Sequence, residues 1–326
     1  MLKVIALLLL GVPFVATTLF AQVAPPILNA LQWDNLVEVS SSTEESESTD
    51  MLDGVPYDGE TSNTNQSYFL GRVHFGVFKY VLQAVGDESR TKSATSNNYD
   101  KLGQLAWTLG LAFENLTIKD DGLQILYTAI ENNTWIHRYD TDLGVDIKLF
   151  FEGSENYITV AYEAFFMRFS ASVGQGASYK ILQEEPTGTI EDLIEPESKE
   201  FQIGIKLGEE KGVNFRTDIS QSNSEGKSAL YTFAQEEFYA GLRLGYNTGE
   251  LSTAIFGSTR NRNRELNAFV TDGKRNTVGL QVGFDALSMA VSQSKTNSLS
   301  EYVYAGSTYA NESFSTSNDI TLGWRF

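Results

Sequence analysis

From Ser67 to the C-terminus, the chain repeats short stretches in which every second residue is apolar. Residues 277–284 show the pattern clearly, because Val278, Leu280, Val282 and Phe284 alternate with small or polar residues. Side chains two positions apart in a β-strand lie on the same face, so each stretch predicts a strand with one apolar and one polar face. The same alternation recurs in 143–149, 201–207 and 242–246. The sequence therefore predicts an all-β, antiparallel fold.

The predicted strands are separated by links that alternate between short and long. We predict strands at 68–82, 102–118, 123–130, 142–151, 157–171, 200–208, 212–220, 236–246, 250–259, 276–284, 287–295 and 318–326. Short turns are predicted at 119–122, 152–156, 209–211, 247–249 and 285–286, and the other links are long and polar. A soluble sandwich has no reason to sort its links in this way. Barrels that cross an outer membrane do, with short turns on one side and long loops on the other.

The N-terminus predicts export. A short positive start, Met1-Leu2-Lys3, precedes an apolar run over 4–14 and then small residues up to Ala21. This order is typical of a secretory signal peptide over residues 1–21, cleaved after Ala21. The apolar run is shorter than the roughly 20 residues that a spanning helix needs, and nothing after residue 22 forms another such run. Membrane insertion must therefore use strands.

An acidic segment follows the signal peptide. Residues 34–60 contain many Asp and Glu residues, no Lys or Arg, and a serine-rich centre. Such a composition buries too little apolar surface to fold alone. We therefore expect residues 22–66 to form a disordered periplasmic segment ahead of a barrel at 67–326. A dedicated binding tail, or a plug helix over 27–39, are the alternatives for this segment.

The last strand is the most specific feature. Residues 320–326 alternate to the final residue, Phe326. This ending resembles the terminal strand of Gram-negative outer-membrane β-barrel proteins, which the barrel-assembly machinery recognises. The resemblance implies a porin-like, transmembrane, antiparallel up-and-down β-barrel of about twelve strands in the bacterial outer membrane, with outer-membrane lipid and that machinery as partners. It also implies an assembly signal, formed by Ile320, Leu322, Trp324 and Phe326.

The charged residues that alternate with the apolar face form the predicted interior. They are Arg72, Glu114, Asp146, Lys148, Glu163, Lys206, Arg216, Asp218, Arg243 and Arg325. An isolated charge in a dry core costs several kcal/mol, so this set predicts a wet lumen or a dense salt-bridge network. The leading hypothesis is a channel for passive or weakly selective diffusion of small hydrophilic solutes. A structural or adhesive barrel with a closed lumen is the alternative.

Composition argues against several other functions. The net charge of -18 and pI of about 4.5 exclude nucleic acid as a partner, because phosphate binding needs clustered Lys and Arg. The chain has no cysteine and two histidines, so we predict no cofactor, no metal site and no catalytic residue. An outer-membrane lipid hydrolase would need a Ser/His/acid set. His137, near Asp140 and Asp142, is the only histidine placed for it, and no serine motif accompanies it.

Two of the predicted long loops differ in charge. The loop over 183–200 is rich in Glu, whereas the loop over 260–275 carries Arg260, Arg262, Arg264 and Arg275. These loops either attract each other across one mouth of the barrel or are solvated independently. The sequence identifies neither the solute nor the oligomeric state.

Overall fold

The structure is a computed structural model that describes residues 35–75, 78–93, 97–113, 122–140, 145–163, 167–183, 193–208, 211–227, 232–267, 269–304 and 306–326. These residues form fourteen strands of one antiparallel sheet. The strands are β1 (Leu36–Leu52), β2 (Val55–Phe75), β3 (Phe78–Ser93), β4 (Asn97–Phe113), β5 (Gly122–Asp140), β6 (Val145–Glu163), β7 (Met167–Gln183), β8 (Leu193–Gly208), β9 (Gly212–Lys227), β10 (Thr232–Asn247), β11 (Leu251–Leu266), β12 (Phe269–Phe284), β13 (Leu287–Tyr304) and β14 (Ser307–Arg325).

The sheet closes into an up-and-down barrel. Each strand pairs with its neighbours in sequence, and β1 pairs with β14, from Leu36 opposite Arg325 to Leu52 opposite Tyr309. We call the end that carries Leu36 and Phe326 the proximal end and the opposite one the distal end. Among the described residues there is no helix long and apolar enough to cross a membrane. The predicted fold class, a transmembrane antiparallel β-barrel, is confirmed.

An apolar belt surrounds the proximal half of the barrel. On β12 the outward residues Val278, Leu280, Val282 and Phe284 are each at least half exposed. Beyond Val278 the same face carries polar residues. Strands of 16 to 21 residues are about 55–70 Å long, whereas the apolar band of such barrels is about 25 Å tall. The distal half therefore extends beyond the membrane.

The expectation of a disordered segment over 22–66 was wrong for residues 36–66, and the described residues form fourteen strands where about twelve were predicted. Strand β1 and most of β2 lie in that segment, and β1 pairs along its whole length with both β2 and β14. Backbone hydrogen bonds to two neighbours stabilise a sequence with little apolar surface. The predicted signal peptide and residues 22–34 lie outside the described residues.

The predicted alternation of long and short links was also wrong. A turn is present at 285–286 and another lies at 248–250, and the predicted link at 209–211 falls between the end of β8 and the start of β9. The polar links at 221–235, 260–275 and 296–317, however, are mostly strand where the structure describes them. Residues 152–156 lie inside β6, where the register with β7 shifts, and residues 119–121 are outside the described part. The predicted strands 68–82 and 157–171 each combine the end of one strand with the start of the next, β2 with β3 and β6 with β7. Beyond the membrane both faces of a strand meet water, so the apolar alternation ends before the strand does.

Candidate functional site

The interior face of β9–β12 carries a group of arginines that we call the cationic wall. It consists of Arg216, Arg243, Arg260, Arg262, Arg264 and Arg275. Alternation places these side chains opposite to the exposed apolar face, and therefore inside the barrel. Arg260 and Arg275 lie directly opposite each other on β11 and β12. Like charges at such positions repel, so each guanidinium needs other partners.

Glu237 on β10 holds the centre of the cationic wall. This carboxylate is largely buried and lies 3.2 Å from the Arg260 Nε, and it accepts a hydrogen bond of 2.8 Å from the Arg262 Nε. The Arg260 guanidinium also lies 5.9 Å from the centre of the Tyr239 ring. Charge-assisted bonds to one carboxylate fix both guanidiniums in place. Arg264 instead donates two hydrogen bonds, of 3.1 and 2.8 Å, to the amide oxygen of Gln235.

The proximal part of the cationic wall is only partly neutralised. The backbone register places Lys206, Arg216 and Arg243 directly opposite one another on β8, β9 and β10. The Arg216 Nε lies 2.7 Å from Asp218, two residues along its own strand. Arg243 forms no ion pair within the described part of the chain. Arg243 therefore contributes a net positive charge to the interior.

A second group of charges forms the opposite side, which we call the acidic wall. It lies on the interior faces of β14 and β1–β3 and consists of Asp319, Glu38, Glu44, Asp50, Glu60 and Asp87. Asn311 donates a hydrogen bond of 2.7 Å to Asp50, and Ser292 donates one of 3.1 Å to Asp319. Asp50 and Asp319 therefore bind neutral amide and hydroxyl groups, in contrast to Glu237 and Asp218.

Hydroxyl groups cover the interior between the two charged walls. The Arg275 Nη2 donates hydrogen bonds of 3.2 Å to Ser294 and 3.3 Å to Ser317, which lie on the next two strands. Further cross-strand hydroxyl pairs are Ser298 with Ser313, Thr271 with Ser300 and Ser62 with Ser89. Small hydroxyl side chains occupy little volume and bind water, so this surface is hydrophilic.

One part of the proximal interior is apolar. Leu36, Leu70 and Val81 form a buried cluster with Tyr68 packed against it. Arg72, which the sequence predicted to face the interior, is on the same face of β2 and only 1% exposed. On the proximal side of the acidic wall, the interior is therefore filled by packed side chains at this point.

Several interior glycines accommodate neighbouring aromatic rings. A Cβ at Gly279 would overlap the ring of Phe256, which lies directly opposite on β11, and a Cβ at Gly241 would overlap the side chain of Tyr239. The rings therefore lie flat against the wall instead of extending into the lumen. Gly241 and Gly279 therefore keep these two aromatic rings out of the lumen.

The predicted interior residues are described to different extents. Arg72, Arg216, Asp218, Arg243 and Arg325 lie on interior faces. For Asp146, Lys148, Glu163 and Lys206 the structure describes the backbone alone, and Glu114 lies outside the described residues. The arginines of 260–275 were missed because they were assigned to a loop. Their spacing at every second position, Arg260-Asn261-Arg262-Asn263-Arg264, is the strand signal that could have identified them.

No group of His, Asp and Glu residues suited to a metal ion occurs among the described residues. His137 lies within β5, not in a loop, and is exposed. The predicted acid partner Asp142 lies outside the described residues.

Solved structures with this architecture include outer-membrane channels. The chain is similar to a Pseudomonas aeruginosa FadL homologue, with 8% identity over 92% of each chain and a TM-score of 0.55. It is also similar to a mutant of TodX, a monoaromatic hydrocarbon channel, with 8% identity over 93% of each chain and a TM-score of 0.52. The fold is that of the outer-membrane β-barrels. No protein-family model matches the sequence, and no curated protein is similar to it.

These similarities extend to the fold and no further. At 8% identity they show neither a transport activity nor a solute for this chain. Together with the apolar belt, the fold supports the predicted location in the bacterial outer membrane. The chemistry of the interior has to be judged from its own side chains.

Proposed function

We propose that this protein is an outer-membrane channel for passive or weakly selective diffusion of small hydrophilic solutes. One observation carries the proposal: the described interior is mainly polar, with a cationic wall, an acidic wall and hydroxyl groups between them. A diffusion channel needs no catalytic group, only a hydrated path whose sides bind water.

The barrel is wide enough for such a path. Fourteen strands about 4.8 Å apart and tilted by about 40° give a backbone diameter of roughly 28 Å. Arg275 faces the interior and is nevertheless exposed, as expected for a side chain that projects into a water-filled lumen. A charge in that position is stable only where water can solvate it.

A hydrophobic solute is the second candidate. The similar TodX structure is described as a monoaromatic hydrocarbon channel, and this chain has the buried cluster of Leu36, Leu70 and Val81 in its proximal interior. A path for hydrocarbons would need a continuous apolar surface, however. The charged and hydroxyl groups of the distal half interrupt such a surface and favour the hydrophilic solute.

The proposal is tested by planar-bilayer recording of the full-length protein after folding in detergent. We expect steady, ohmic single-channel conductance in KCl. Liposome swelling in isotonic sugars of increasing size should then give a size cutoff for uptake. If the protein shows no conductance in the bilayer and no liposome swelling, the structural or adhesive barrel is supported. Liposome swelling with hydrocarbons alone would support the second candidate.

A further inference from the structure

A small cavity opens in the proximal interior, between β9 and β14. Its volume is about 210 Å³, which corresponds to about seven water molecules at liquid density. The floor is made of small residues, Gly245, Ser252, Gly283 and Ser288. A Cβ at Gly283 would lie 2.5 Å from the Ser252 Oγ, and one at Gly245 would lie 2.6 Å from the Asn214 Oδ1. The cavity therefore depends on Gly245 and Gly283, because a side chain at either position would overlap its neighbour.

Two arginines from distant strands line this cavity. Arg243 comes from β10, and Arg325 is the last residue of β14. Strands β11, β12 and β13 lie between these two strands. Only their long side chains allow them to line one cavity across three strands of small residues. The amides of Asn214 and Gln281 also line it and can donate hydrogen bonds.

The electrostatics of the cavity favour an anion. Arg243 has no carboxylate partner within the described residues, and Arg216 beside it is paired with Asp218. Glu250 and Asp285 also line the cavity, in the turns after β10 and β12, and neither forms an ion pair among the residues that the structure describes. Two guanidiniums therefore share a cavity in which no carboxylate neutralises Arg243.

We propose that this cavity, which we call the proximal anion site, binds a small dianion of the carboxylate or phosphate class. A guanidinium presents paired N–H donors that match a carboxylate or phosphate in geometry, and two guanidiniums match a dianion better than a monoanion. The site deepens the proposed function: in a diffusion channel it would concentrate anionic solutes near the proximal mouth. The carboxylates of Glu250 and Asp285 oppose entry, so binding is weak and exchange is fast.

The test measures binding directly, so that it does not depend on conductance. Full-length protein folded in detergent is titrated with inorganic phosphate, succinate and acetate by isothermal titration calorimetry. We expect phosphate or succinate to bind at least about tenfold more tightly than acetate. The double variant Arg243→Gln/Arg325→Gln should weaken dianion binding by about tenfold or more, and comparison of phosphate with succinate identifies the preferred class.

Two further variants keep the result interpretable. Arg325 lies in the terminal strand, which is needed for assembly. If the double variant does not assemble, the single variant Arg243→Gln tests the site instead. Lys274→Gln makes the same charge change on the outward face of β12 and should leave the binding constant unchanged. Equal binding by the parent and Arg243→Gln, or no dianion binding by the parent, would overturn the site. If the protein binds dianions but shows no conductance in the bilayer, the proposed channel function is wrong and the proximal anion site stands.

Discussion

The two charged walls of the interior are held by different chemistry. In the cationic wall, Glu237 binds both Arg260 and Arg262, and Asp218 binds Arg216, so guanidiniums are fixed by carboxylates. In the acidic wall, Asp50 and Asp319 accept hydrogen bonds from Asn311 and Ser292. Three arginines of the cationic wall, Arg216, Arg260 and Arg262, are thus held by carboxylates, whereas Asp50 and Asp319 of the acidic wall are held by neutral groups. We infer that the cationic wall contributes more to stability and that both walls contribute to the field across the lumen.

The largest effect is expected where the closure of the sheet is lost. β14 carries part of the acidic wall and closes against β1, and Phe326 ends it with an exposed ring 5.2 Å from that of Trp324. We expect deletion of Phe326, or Phe326→Asp, to impair assembly rather than export, because the terminal strand must present its apolar face to lipid. Folded barrel, measured by its heat-dependent gel mobility in outer-membrane fractions, should fall severely.

Phe326→Tyr is the control for this prediction, since it keeps an aromatic ring at the last position. It should assemble nearly as well as the parent. Normal surface levels of Phe326→Asp would show that the terminal strand carries no assembly signal. Recovery of the parent protein from the soluble periplasm would contradict the membrane barrel itself.

The next largest effect should follow removal of the carboxylate at the centre of the cationic wall. Glu237→Gln leaves Arg260 and Arg262 without their shared partner, and loss of one member of a buried ion pair costs about 3–5 kcal/mol, with less expected here because both arginines are partly exposed. The temperature at which the barrel loses its folded gel mobility should fall. The same variant should increase the preference for anions.

Glu236→Gln is the matched control. It removes the same charge from the adjacent residue, which is exposed on the outward face of β10. Its unfolding temperature should be close to that of the parent. If the two variants are equally stable, the ion pairs of Glu237 do not brace the wall.

These wall residues also mark the limit of what could be predicted from the sequence. The strands from β8 to β14 were located correctly at their proximal ends, because lipid requires an apolar residue at every second outward position, as at Val278, Leu280 and Val282. Their distal halves were taken for loops. There lipid is absent and segments such as Arg260-Asn261-Arg262 are polar on both faces, so hydropathy no longer distinguishes a strand from a loop. In these distal halves the strand is formed by pairing with a neighbouring strand, which cannot be predicted from one segment alone.

The charge balance between the walls should have a moderate effect on selectivity. Lys206, Arg216 and Arg243 occupy one level of the register, so the triple substitution to Gln should reduce a mild anion preference by roughly two- to threefold. Glu44→Gln with Asp50→Asn should shift the reversal potential the other way. Both are measured under a salt gradient in planar bilayers, with Lys274→Gln as the control outside the lumen. An unchanged reversal potential with intact conductance would mean that these charges do not set the field on the path.

The smallest effect should come from a change of shape without a change of charge. A Cβ at Gly279 would overlap the Phe256 ring, so Gly279→Ala should displace that ring from the wall toward the lumen. We expect single-channel conductance to fall by a modest fraction while the reversal potential stays constant, because neither charged wall is altered. Gly257→Ala is the control: Gly257 lies on the outward face of β11, and its Cβ would meet the Thr277 carbonyl oxygen at 3.4 Å. If Gly279→Ala shifted the reversal potential as strongly as the charge variants, selectivity would follow the width of the lumen rather than its charges. The two charged walls would then not explain the selectivity of the channel.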